Sequence, residues 1–117
     1  MKKKNVVLLA VLSAALTGCA SIDHHEPVPG WPALKIVEYH VATEEMLERC
    51  QRFVRFSVPE GCTLFYFDRS EAHIYVRKDL PARWVLNHER LHAAGYDHRG
   101  STAMQQMLEA WKASAAR

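Results

Sequence analysis

The chain has 117 residues, of which 49% are hydrophobic and 24% are charged, and this balance is typical of a globular protein rather than a disordered one. Its 15 basic and 13 acidic residues give a formal net charge of +2. Three of the basic residues lie at the N-terminus, so the chain after residue 18 keeps 12 basic and 13 acidic side chains. That balance argues against a nucleic-acid partner.

The N-terminus has the pattern of a secretory signal. The basic residues 2–4 are followed by an apolar stretch of 11 residues, Val6–Leu16. A membrane-spanning helix needs about 20 apolar residues, so this stretch suits the core of a signal peptide instead. Leu-Thr-Gly-Cys at residues 16–19 closes it and resembles a bacterial lipobox, which implies cleavage before Cys19 and a lipid on that cysteine. Residues 1–18 are thus predicted to be a lipoprotein signal peptide.

The lipobox resemblance also implies a location. Ala20 follows the cysteine, in place of the aspartate that retains lipoproteins in the inner membrane. We therefore expect a lipid-anchored protein of the bacterial cell envelope, in the outer membrane and facing the periplasm. Residues 19–32, with three prolines, one glycine and no hydrophobic period, are predicted to be a linker. Its two histidines, His24 and His25, are interpreted as solvated.

Cysteine usage agrees with that compartment. Lipidation of Cys19 leaves Cys50 and Cys62 as a pair in an oxidising space, so a disulfide between them is predicted. The alternative is two buried free thiols.

Residues 33–117 are predicted to form one small domain. Residues 34–41 alternate like a strand, and Thr43 is placed to cap a helix that follows. Residues 63–68 and 73–77 are two β-rich runs that form a predicted hairpin. The run 73–77 is also interpreted as an edge strand that pairs with an extended peptide.

Two helices are predicted in the C-terminal part. Asp79 and Pro81 suit the start of the first helix, and Ser101 or Thr102 can cap the second. The second carries an apolar stripe at helical spacing, interpreted as core: Met104, Met107, Leu108 and Trp111. The predicted fold class is α+β, with a small sheet (strand plus β-hairpin) packed on these two helices.

Residues 88–98 carry the pattern HExxHxxGxxH, which is typical of a catalytic zinc site. His88 and His92 are four residues apart, so on a helix they lie on one face and can bind the same ion. Gly95 can take a positive φ and turn the chain back, bringing His98 round as a third ligand. Three protein ligands leave a fourth position for water, and Glu89 is placed to act as its general base. One Zn²⁺ per chain is expected.

These eleven residues resemble the zinc-binding consensus of the metzincin metallopeptidases, a branch of the zincins. The resemblance implies that His88, His92 and His98 bind zinc and that Glu89 is the catalytic base. The family's methionine-containing turn is not matched, since only 19 residues follow His98. A minimal or divergent zincin is therefore expected.

A weaker resemblance links residues 91–98 to the bacterial zinc endoribonucleases of ribosomal RNA maturation, which carry HGxLHxxGYDH. That motif has glycine where this chain has Glu89, and that family works in the cytoplasm. Tyr96 and Asp97 are possible neighbours of the metal ligands, Asp97 by fixing a histidine tautomer.

Three functions follow as hypotheses. The first is a zinc-dependent hydrolase of the envelope, a metallopeptidase acting on a peptide or protein in the periplasm, with Glu89 as base. The second is a zinc-binding envelope lipoprotein with a structural or assembly role and little or no hydrolysis. The third is a nuclease-like or purely structural zinc protein.

Overall fold

The computed structural model describes the backbone of residues 10–12, together with residues 24–50, 59–80 and 83–116. Cys19, the remainder of the predicted signal peptide and Pro81 lie outside the described residues. The described residues form an α+β domain with three α-helices and two small sheets, which confirms the predicted fold class. Within these ranges, each helix is too short or too polar to span a lipid bilayer.

The larger sheet is built around a β-hairpin. Strands β4 (Gly61–Tyr66) and β5 (Glu71–Arg77) pair antiparallel, and β3 (Lys35–Val41) pairs parallel with β5. A short strand β1 (Ala10–Leu12), which falls within the predicted signal peptide, pairs antiparallel with the outer side of β4. The predicted strand and hairpin are confirmed. The prediction that residues 73–77 form an edge strand is wrong, because β5 has a partner on both sides and offers no open edge to a peptide.

One face of this sheet carries the main core. Helix α2 (Arg83–Ala93) and helix α3 (Ala103–Ala115) pack there. Because side chains alternate along a strand, every second residue of the hairpin points at the helices. The core cluster on this face includes the buried residues Phe65, Ala72, Ile74, Val76, Val85, Met104, Met107 and Leu108, with Trp111 packed against it. The stripe of α3 is therefore core, as predicted.

The opposite face is covered by helix α1 (Thr43–Cys50). Met46 and Cys50 are fully buried there, against Leu64 and Tyr75 of the hairpin. Cys50 forms the predicted disulfide with Cys62, the two Cα atoms lying 6.2 Å apart. The bond joins the end of α1 to the second residue of β4, so it fastens this helix to the sheet.

The N-terminal segment, residues 24–32, packs on the domain instead of leaving it. Strand β2 (His25–Pro27) pairs antiparallel with β6 (Tyr96–His98) to form the second sheet. The Val28 amide donates to the Gly95 carbonyl at 2.8 Å, and the Val28 side chain is buried in the main core. A strand of three residues is too short to show an alternation of apolar and polar residues. The composition of this segment therefore suggested a linker.

Candidate metal centre

Helix α2 presents the first two histidines of the pattern. His88 and His92 are both buried, and their Nε2 atoms are 3.1 Å apart. This is the proximity expected for side chains one helical turn apart. Asp79, the predicted cap of this helix, instead accepts hydrogen bonds from the Arg77 guanidinium at 2.8 and 3.1 Å, and the helix begins at Arg83.

A glycine turn after helix α2 brings the third histidine back beside the first. Gly95 has φ +100°, a conformation that an L side chain rarely adopts. The chain then enters β6, which places His98 Nε2 3.2 Å from His88 Nε2. The structure thus brings together the three histidines that the pattern singled out.

Asp97 holds this returning strand in place. Its Oδ1 accepts from the backbone N–H of His98 at 2.7 Å, and its Oδ2 accepts from the N–H of Met104 at 3.0 Å. The buried carboxylate therefore joins β6 to the first turn of α3, where a negative charge is favourable. Its hydrogen bonds go to backbone amides, whereas the sequence suggested a bond to a histidine ring.

A fourth histidine, His25, completes the cluster. Strand pairing sets His25 opposite His98 in the β2–β6 ribbon. Its ring centroid lies 5.0 Å from those of His88 and His98 and 5.5 Å from that of His92. One ring nitrogen from each of these four residues lies within 4.8 Å of the other three, so the group could hold a metal ion. The interpretation of His25 as a solvated linker residue is wrong, since it is only 3% exposed.

The spacing of the nitrogens fits an ion bound by imidazoles. Tetrahedral bonds of about 2.0–2.1 Å would set the ligand nitrogens about 3.3–3.4 Å apart. The distances from His88 Nε2 to the same atom of His92 and His98, 3.1 and 3.2 Å, are close to that edge length. Imidazole nitrogens suit zinc, copper, iron or nickel.

The tautomer of His92 also fits metal binding. Its Nδ1 is 2.8 Å from the carbonyl oxygen of Tyr96, which can only accept, so Nδ1 carries the proton. In the neutral ring the Nε2 lone pair then points at the cluster, as a ligand requires. Tyr96, which the sequence marked as a possible neighbour of the ligands, supports the site through its backbone carbonyl.

Burial keeps these rings in the neutral form that binds metal. Desolvation, followed by the neighbouring imidazoles of His98 and His25, lowers the pKa of His88 to about 4. Desolvation also lowers the pKa of His92 well below its ordinary value and lowers that of His98. At neutral pH His88, His92 and His98 therefore offer lone pairs rather than repelling charges.

Glu89 lies on the side of α2 that faces the sheet. It is completely buried, and its Oε1 accepts a hydrogen bond from the Thr63 hydroxyl at 2.7 Å. Gly61 allows α2 to lie close to β4, because a Cβ at that position would stand 2.6 Å from Val85 Cγ1. Glu89 is not a member of the four-histidine group.

Comparison with known proteins finds no matching family model, no matching curated protein and no matching solved structure. The candidate metal centre is therefore interpreted from its own residues.

Sequence reasoning missed two contributors to the site, His25 and Thr63. A signal for His25 existed, since it is one of two adjacent histidines in a chain that already carries a metal-binding pattern. Thr63 gave no signal, because its role depends on the register of β4 against α2.

Proposed function

We propose that this protein is a zinc-dependent hydrolase of the cell envelope, a metallopeptidase in which Glu89 is the general base. The observation that carries the proposal is the convergence of His88, His92 and His98 on one point, with a buried carboxylate one residue after the first histidine. Zinc in such a site supplies a Lewis acid that polarises a carbonyl and lowers the pKa of a bound water to near 7.

The chain's own residues supply the rest of the chemistry. The Glu89 carboxylate accepts the proton of the attacking water and returns it to the leaving amine. Thr63 fixes the orientation of that carboxylate through its hydrogen bond to Oε1. A buried carboxylate is costly to keep in a small domain, and general base catalysis gives a reason for its retention.

The choice of zinc among the metals rests on the donor set. Tetrahedral sites of histidine ligands are common for Zn²⁺, which has no geometric preference of its own and accepts the geometry that the protein imposes. The predicted periplasmic location and the lipid on Cys19 would place the site at the membrane surface, within reach of envelope peptides.

A second candidate is a structural or assembly lipoprotein that binds zinc without hydrolysis. The observation in its favour is His25, because four protein ligands make a closed coordination sphere, and closed sites are characteristic of structural zinc.

Glu89→Gln tests the hydrolase. The amide keeps the size of the side chain and can still accept from Thr63, but it cannot take a proton from water. We expect at least about a 100-fold loss of hydrolysis of an unfolded protein substrate, the range for removal of a general base, with zinc still near one per chain. A chelator should block the wild-type reaction and added zinc should restore it.

The matched control is Glu109→Gln, the same chemical change at an exposed position on α3, where the carboxylate accepts from Gln105 at 3.2 Å. It should leave hydrolysis unchanged. Equal activity of the Glu89 variant and the wild type would refute the role of Glu89 as base.

A further inference from the structure

His25 differs from the other three histidines in how it is held. His88 and His92 belong to a helix of 11 residues, and His98 follows them directly through the Gly95 turn. His25 belongs to a strand of three residues and is separated from His88 by more than sixty positions in the chain. It is thus the one member of the cluster that can leave without unfolding α2 or its turn.

Polar contacts join strand β2 to the domain. They include the pairing with β6, the hydrogen bond from the Arg99 amide to the His24 carbonyl at 3.0 Å, the bond from the Arg99 guanidinium to the His25 carbonyl at 3.4 Å, and the bond from the Gly100 amide to Glu26 Oε2 at 2.8 Å. All of these groups can be satisfied by water when the strand opens. Opening therefore exchanges these hydrogen bonds for bonds to water and leaves the helix and the glycine turn that carry the other three histidines in place.

The contacts of the next residues set the limit of such an opening. The Val28 side chain is in the main core, and the ring of Trp31 packs edge-on against Phe65 and Phe67 with centroids 5.1 and 5.2 Å apart. The chain is fixed from Val28 onward, so β2 can open as a flap while the domain stays folded.

We propose that His25 is a fourth metal ligand and acts as a latch on the metal centre. With β2 paired to β6, His25 fills the coordination position that a hydrolytic site needs for water and substrate. With β2 open, three histidines remain on the metal and that position becomes available. This latch function rests on the proposed hydrolase, whereas the ligation by His25 does not.

The latch resolves the conflict between the two features of the site. The pattern with Glu89 is that of an open catalytic centre, and the four histidines are those of a closed one. An enzyme whose resting state is closed would have both the pattern with Glu89 and the four histidines. Since β2 lies within residues 19–32, the predicted lipid-anchored linker, the latch would connect that tether to the site.

The test compares the zinc-loaded wild type with His25→Ala and with His24→Ala as the matched control. His24 is the adjacent histidine, its residue is exposed, and its contact with Arg99 is made by the backbone carbonyl that the substitution retains. Zinc X-ray absorption counts the imidazole ligands, competition with a chelator gives the zinc affinity, and cleavage of an unfolded protein gives the activity.

We expect four imidazoles on zinc in the wild type and in His24→Ala, and three imidazoles plus one oxygen in His25→Ala. The last variant should bind zinc about tenfold more weakly or worse, and should hydrolyse the substrate about tenfold faster or more. Free imidazole at millimolar concentration should fill the space left by the deleted ring, restore the fourth nitrogen and suppress the added activity. This rescue also shows that the variant is folded.

The outcomes separate the two proposals. Three imidazoles in the wild type, or an unchanged count in His25→Ala, would overturn ligation by His25 and with it the latch. A lost imidazole with equal hydrolysis by variant and wild type would overturn the latch and leave the hydrolase standing. A lost imidazole with no hydrolysis by either protein would overturn the hydrolase and the latch together, leaving a four-histidine structural zinc site.

Discussion

Gly95→Ala is the substitution for which the structure gives the sharpest expectation. Gly95 ends helix α2 with φ +100°, and a Cβ there would stand 2.5, 2.6 and 2.9 Å from Cδ1, Cγ and Cβ of Trp31. The backbone conformation costs a non-glycine residue about 1–2 kcal/mol. Overpacking against the indole adds about 1–3 kcal/mol, because Trp31 itself packs edge-on against Phe65 and Phe67. The free energy of unfolding should therefore fall by about 2–5 kcal/mol.

Gly100→Ala separates the two costs. Gly100 has φ +87°, but nothing lies within 4 Å of the position of its Cβ, so this variant carries the backbone cost alone. Urea unfolding in a chelator, which removes the contribution of bound metal, measures both variants. Gly95→Ala should be the less stable of the two by about 1–3 kcal/mol. Equal stabilities would refute the reasoning, because they would mean that Trp31 yields to the new methyl group at no cost.

Two other predictions concern the supports of the site. Asp97→Asn replaces one acceptor oxygen by an amide that cannot accept, so it loses the bond from either His98 N–H or Met104 N–H. We expect the free energy of unfolding, measured by thermal unfolding, to fall by about 1–2 kcal/mol. Competition with a chelator should show about 10-fold weaker zinc binding. Unchanged zinc affinity would mean that His98 is positioned without Asp97. Reduction of the Cys50–Cys62 disulfide opens a loop with a sequence separation of 12, and should lower the free energy of unfolding by about 3 kcal/mol in the chain-entropy account. A Cys50→Ser/Cys62→Ser variant that matches the oxidised protein in urea unfolding would contradict that expectation.

The elements that the sequence predicted correctly are those whose signals are local. The alternation in residues 34–41 and in the two runs of the hairpin predicted strands that the structure confirms. Helical spacing identified the buried stripe of α3, and the even cysteine pair predicted the disulfide. Local periodicity carries this information because it reflects which side of one element faces the core.

The errors concern the position of one element relative to another. Residues 73–77 were correctly predicted as a strand, but their interior position was not predicted, because sheet order depends on how the β4–β5 hairpin packs against β3 after α1. Residues 24–32 were predicted as a linker because proline and glycine hide a strand of three residues. The partner of that strand begins at Tyr96, and pairing over such a distance leaves no trace in the local pattern.

The same distinction between local and long-range information applies to the candidate metal centre. The sequence by itself determined His88, His92 and His98, because helical rise and a glycine turn fix their approach over only eleven residues. Only the tertiary structure decided that His25 joins them and that Thr63 holds Glu89. His25 belongs to β2 and Thr63 belongs to β4. Only the packing of these two strands in the folded domain brings the two side chains close to residues of α2. Short-range geometry thus brought three histidines together, and the packing of distant segments specified what surrounds them.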